Sequence, residues 1–151
     1  MWPFSRKKDF FSKDENELIV RAIRGAEQQT SGEVRVFVES KCRFIDPLDR
    51  ALEIFSELKM ENTQDRNAVL LYVALKDRQL AIYGDKGIHE KTGDEYWKMA
   101  VNTMVSHFNK ENYATGISQC VTKIGEALQQ YFPYDKKTDK NELPDEIIFG
   151  K

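Results

Sequence analysis

A chain of 151 residues that is 40% hydrophobic and 32% charged has the length and balance of one globular domain, which argues against a disordered chain and against an integral membrane protein. Its 23 Lys and Arg face 25 Asp and Glu, and the net charge of -2 gives no overall field to gather nucleic acid. The two cysteines, Cys42 and Cys120, are too few and too far apart for a disulfide framework and read as reduced thiols.

Residues 1–11 read as a flexible leader in which Trp2, Phe4, Phe10 and Phe11 accompany Arg6, Lys7 and Lys8. Pro3 interrupts it, no apolar region follows the basic cluster, and no later run approaches the roughly 20 apolar residues of a spanning helix. A cytoplasmic monomer without a transmembrane segment is expected, with peripheral membrane contact by the leader left open.

The spacing predicts a single domain over residues 12–132. Ser12-Lys13-Asp14-Glu15 is a capping box, and Leu18, Ile19, Ala22, Ile23 and Ala26 follow at helical spacing. Thr30-Ser31-Gly32 breaks that period. Glu33 to Glu39 then alternates as a strand whose inward face is Val34, Val36 and Val38. Asp46-Pro47 reads as an N-cap with proline at the first helical position, ahead of Ala51, Leu52, Phe55 and Leu58. Ala68 to Leu75 is a continuous apolar run, as in a central strand covered on both faces.

Strand, crossover helix and strand make a parallel βαβ unit. Lys76-Asp77-Arg78 is too short for a second crossover, so Gln79 to Tyr83 returns antiparallel as a hairpin strand. Two more helices are predicted, one from Asp94 carrying Trp97, Ala100, Val101, Met104 and Phe108, the other from Asn112 carrying Ile117, Cys120, Val121, Ile124 and Leu128. Residues 133–151 form a tail on or beside the domain. In it Asp135 to Lys140 is solvated, and Glu146 to Phe149 adds an edge strand or lies on the surface. The fold class is α/β: a mixed sheet flanked by about four helices.

This topology brings three loops to one edge of the sheet: Ser31 to Glu33, Asp65 to Asn67, and Gly84 to Gly87, with Thr92 and Asp94 nearby. Carboxylates and an amide oxygen are the hard ligands that Ca²⁺ or Mg²⁺ prefers, so Glu33, Asp65, Asn67, Asp85 and Asp94 are the candidate metal ligands. Ordinary turn and capping chemistry accounts equally well for acids and glycines at element ends, Asp94 above all. Ligands in open α/β sheets usually gather at the opposite edge, where Glu39, Ser40, Lys41, Cys42 and Arg43 lie. His89, Arg66 and Arg35 are the candidates for acid and phosphate-holding roles. Neither a GxSxG elbow, a Walker A loop nor an HExxH helix is present.

Ser31-Gly32-Glu33-Val34-Arg35-Val36, Asn67-Ala68-Val69-Leu70-Leu71-Tyr72-Val73, Ile82-Tyr83-Gly84-Asp85-Lys86-Gly87-Ile88 and Asn112-Tyr113-Ala114-Thr115-Gly116-Ile117 resemble the successive blocks of the TPM domain. The likeness runs from about Glu17 to Phe132, and the tail resembles a short bacterial branch of that family that lacks the membrane anchor. The resemblance implies a Rossmann-like α/β/α sandwich. It also implies a family that includes a thylakoid acid phosphatase, a photosystem II repair factor and an acetylcholine-receptor modulator, associated with calcium binding and weak phosphatase activity. Here Asp85 stands where relatives often have the first glycine of their loop, and His89 stands near their expected acid. Two function classes follow: a module that holds Ca²⁺ or Mg²⁺ and meets a partner protein, and a weak metal-assisted phosphomonoesterase.

Overall fold

The computed structural model describes residues 10–109, 112–134 and 147–150; residues 1–9 of the expected leader and the charged stretch 135–140 lie outside them. In chain order the elements are α1 (Lys13–Glu27), β1 (Glu33–Glu39), α2 (Pro47–Glu57), β2 (Ala68–Ala74), β3 (Gln79–Gly84), α3 (Lys86–Thr92), α4 (Asp94–Asn109), α5 (Tyr113–Tyr131) and β4 (Ile147–Phe149).

Local chemistry sets the helix starts. The Ser12 hydroxyl accepts from the Glu15 amide at 3.1 Å while Glu15 Oε1 accepts from the Ser12 amide at 2.8 Å, completing the capping box of α1. Asp46 caps α2 by accepting from the Leu48 amide at 2.9 Å, and Pro47 takes the first helical position.

The strands form one sheet in the order β3-β2-β1-β4. β1 and β2 are parallel, in register from Glu33 opposite Ala68 to Glu39 opposite Ala74. β3 returns antiparallel to β2, and β4 adds parallel to β1 as the short edge strand. On one face α2 packs Ala51, Ile54 and Phe55 against Phe37, Leu70, Tyr72 and Ala81. On the other, α1, α4 and α5 bury Ile19, Ile23, Met104, Phe108, Ile117 and Ile124 against Val34, Val36, Val38, Val69, Leu71 and Val73. The architecture is therefore an α/β/α sandwich.

Two expectations need correction. β1 has no solvent face: all seven of its residues are buried, because the strand lies between β2 and β4 and its second side is covered by contacts such as that of Arg50 with Phe37 and Glu39. Glu33, Arg35 and Glu39 are consequently buried charged residues, at 3%, 8% and 6% exposure. The segment after β3 is also not simply a loop. Asp85 caps a fifth helix, α3, and Asp94 falls inside the first turn of α4, after Gly93 at φ 76°.

At the described end of the leader, Phe10 and Phe11 pack on Phe149 with ring centroids 5.5 and 6.2 Å apart. No helix among the described residues is long and apolar enough to cross a membrane. The contact of α1 with α5 depends on Gly125, where an added Cβ would lie 2.6 Å from Ala26 Cβ. Gly125→Val is expected to force the two helices apart and cost about 2 kcal/mol, read as a lowered urea midpoint with unchanged m-value.

Candidate functional site

Backbone pairing sews the three loops together at the amino edge of β1 and β2. The Glu33 amide donates to the Asn67 carbonyl at 3.4 Å, the Asp85 amide to the Ala68 carbonyl at 2.9 Å, and the Gly87 amide to the Arg66 carbonyl at 2.8 Å. Gly87 is required by this closeness, since a Cβ there would sit 2.1 Å from the Asp65 carbonyl oxygen. Arg66 adopts φ 51°, an uncommon left-handed conformation for a residue with a side chain.

Asp85 is the centre of this edge. It is 1% exposed, and its carboxylate accepts from Arg66 Nε at 2.6 Å, Arg66 Nη2 at 2.9 Å and the Lys86 amide at 2.8 Å. That bidentate pairing raises the Arg66 pKa further above its ordinary value. Asn67 is equally buried at 1%; its Nδ2 donates to Ser31 Oγ at 3.3 Å, and its Oδ1 is enclosed without a donor. Sequence reasoning singled out Asp85 and Asn67 but did not foresee that Arg66 supplies the countercharge.

The other candidates spread around this centre. Glu33 is buried at the start of β1, whereas Asp65 is exposed. Asp94 Oδ1 lies 3.0 Å from His89 Nε2, both side chains partly exposed. Arg35 is buried within β1. Among the described residues no three His, Cys, Asp or Glu side chains are grouped closely enough to hold a metal ion. The donor set thus fits a hard cation in chemistry, through a buried carboxylate and an amide oxygen in need of a positive partner. In the geometry present, Arg66 occupies the Asp85 carboxylate and the surrounding acids stand apart from it.

The carboxyl edge of the same strands holds a second polar centre. Glu39 accepts from Arg50 Nε and Nη2, each at 3.0 Å, and from the hydroxyl of Tyr72, which is fully buried. Arg50 also donates to Glu53 through Nη1 and lies over the Phe37 ring, 5.7 Å from its centroid. Burial and the Glu39 hydrogen bond push the Tyr72 phenol up, and the carboxylates hold Arg50 above its ordinary value. A pocket of about 590 Å³ opens over this centre, lined by Glu39, Ser40, Lys41, Arg43, Phe44, Arg50 and Glu53. The sequence marked Glu39 to Arg43 but missed Arg50 and Tyr72. The available signal was a tyrosine within an otherwise aliphatic strand.

A model of the TPM domain matches residues 5–127. The chain is 43% identical to the BA42 protein of the psychrophilic bacterium Bizionia argentinensis, whose NMR structure superposes with a TM-score of 0.85 over 93% of this chain and 96% of that one. The N-terminal domain of the P. gingivalis protein, at 21% identity, gives a TM-score of 0.59 over 81% of this chain and 78% of that one. The N-terminal domain of cg2496 from Corynebacterium glutamicum, at 16%, gives 0.57 over 78% and 74%. These two share the fold. No curated protein sequence matches the chain significantly. The breadth of the family match, together with the BA42 likeness, shows that the chain belongs to the TPM-domain family.

Proposed function

We propose that the chain is a binding module which takes up Ca²⁺ or Mg²⁺ at the amino edge and thereby sets the conformation of loops that a partner protein meets. The observation that carries this reading is the buried Asn67 Oδ1, an acceptor without a donor, next in sequence to the residue that neutralises buried Asp85. An unpaired buried acceptor is costly, and a cation satisfies it. Arg66, whose side chain is 40% exposed, is the resident positive charge that the metal displaces. Asp85 and Asn67 are the inner ligands, water fills the rest of the shell, and Glu33, Asp65 and Asp94 act from its rim. A hydrolytic role with Arg66, Arg35 and His89 has less support, because Arg35 is buried in the sheet and His89 is paired with Asp94.

The test is an NMR titration of metal-free protein with each cation. Saturable amide shifts are expected at residues 31–33, 65–67 and 84–87. Asp85→Asn retains a cap for α3 and should abolish them, while Arg66→Gln removes the competing charge and should tighten binding. Shifts that are absent, or that stay unchanged in Asp85→Asn, sink the proposal.

A further inference from the structure

We propose that the pocket at the carboxyl edge is a separate anion site, which seats a small organic molecule by a carboxylate or phosphate head held on Arg50. Open α/β sheets place ligands outside the carboxyl ends of their parallel strands, and the pocket lies where β1 ends and the chain turns into α2. A buried carboxylate at such a place needs a reason, and Glu39 has one. By accepting from Nε and Nη2 it fixes one edge of the Arg50 guanidinium, while Phe37 supports its face. The remaining nitrogen, Nη1, is directed to Glu53, whose side chain is 44% exposed.

Glu53 is a weak occupant. A pair between a surface carboxylate and a guanidinium gains little against water, so an incoming oxyanion exchanges for it at small cost. The guanidinium it finds is already oriented, which removes most of the ordering penalty of binding. Three cations line the pocket, Lys41, Arg43 and Arg50, against two acids, Glu39 and Glu53, leaving one positive charge in excess. Neither Lys41 nor Arg43 forms an ion pair among the described residues, so both are available to the head group. Phe44, exposed at 36%, supplies an apolar wall for the rest of the ligand. This site shares no residue with the proposed cation site and does not depend on it.

The experiment is an NMR titration with inorganic phosphate, acetate and benzoate, with a chelator present and ionic strength held constant with chloride. Saturable shifts confined to residues 39–44, 50 and 53 are expected, and saturation by phosphate alone or by the carboxylates alone identifies the head group. Benzoate is expected to bind more tightly than acetate if carboxylates are taken. Glu53→Gln, which removes the competing carboxylate, should tighten binding several-fold. The exposed pair Lys41→Gln with Arg43→Gln, which leaves the core untouched, should weaken it about tenfold. Overturning results are non-saturating shifts, shifts scattered over all basic residues, or affinity that is the same in both variants.

Discussion

Gly87→Ala is expected to lower the stability of the fold by about 2–3 kcal/mol although it adds a single methyl group, at a half-buried position. The methyl carbon would lie 2.1 Å from the Asp65 carbonyl oxygen and 2.6 Å from that of Arg66. Both obstacles are backbone, so no side-chain rotation relieves them. Either the first turn of α3 lifts away or the loop before β2 retreats, and both movements break the Gly87 amide bond to the Arg66 carbonyl. Asp85 caps α3 while it holds Arg66, so the displacement also loosens that pair. Alanine favours a helix over glycine by about 1 kcal/mol, which offsets part of the loss. Gly25→Ala is the control: it lies on the exposed side of α1 with nothing within 4 Å of an added Cβ, and it should be neutral or stabilising. Equal urea midpoints for the two variants would show that the loops do not meet as described.

The amino edge illustrates what a sequence conveys and what it withholds. That three loops converge follows from topology alone, once the apolar run at Ala68 and the three-residue turn after it fix one parallel and one antiparallel pairing. The identity of the charge that answers Asp85 does not follow. Arg66 is 19 residues away and reaches it from a left-handed backbone conformation that no residue pattern announces. Helix α3 was equally hidden, because seven residues with one buried apolar side chain, Ile88, carry no periodicity to read. Capping signals succeeded where the motif is local, at Ser12 and Asp46.

The carboxyl edge was half legible for a different reason. Residues that end a strand declare themselves by position, so Glu39, Lys41 and Arg43 were found. Arg50 sits in an amphipathic helix where an arginine ordinarily faces water, and Tyr72 occupies a run that reads as uniform core. Only their contacts give them roles: Arg50 keeps 21% of its side chain exposed and spends its guanidinium on two acids, and Tyr72 directs its hydroxyl at one of them.

Glu39→Ala should cost about 3 kcal/mol, because it strands the hydroxyl of a fully buried tyrosine and removes the acceptor of both the Nε and Nη2 donors of Arg50. Glu39→Gln keeps an acceptor oxygen and should cost less, about 1 kcal/mol. The same network predicts an alkaline limit. The Tyr72 phenol is raised well above its ordinary value of 10.0, so above pH 10 the unfolded chain releases this proton while the folded chain retains it. Its contribution is therefore complete below pH 10 and lost as pH rises further. Cys120 acts in the same sense, as burial pushes its thiol from 9.0 up to about 12 and its contribution begins to fall above pH 9. The variants separate the two. Cys120→Ala should flatten the urea midpoint between pH 9 and 10, whereas Tyr72→Phe, though less stable at neutral pH for want of its hydrogen bond, should flatten it only above pH 10. A Tyr72→Phe profile parallel to wild type throughout would mean that the phenol does not donate to Glu39 from a buried position.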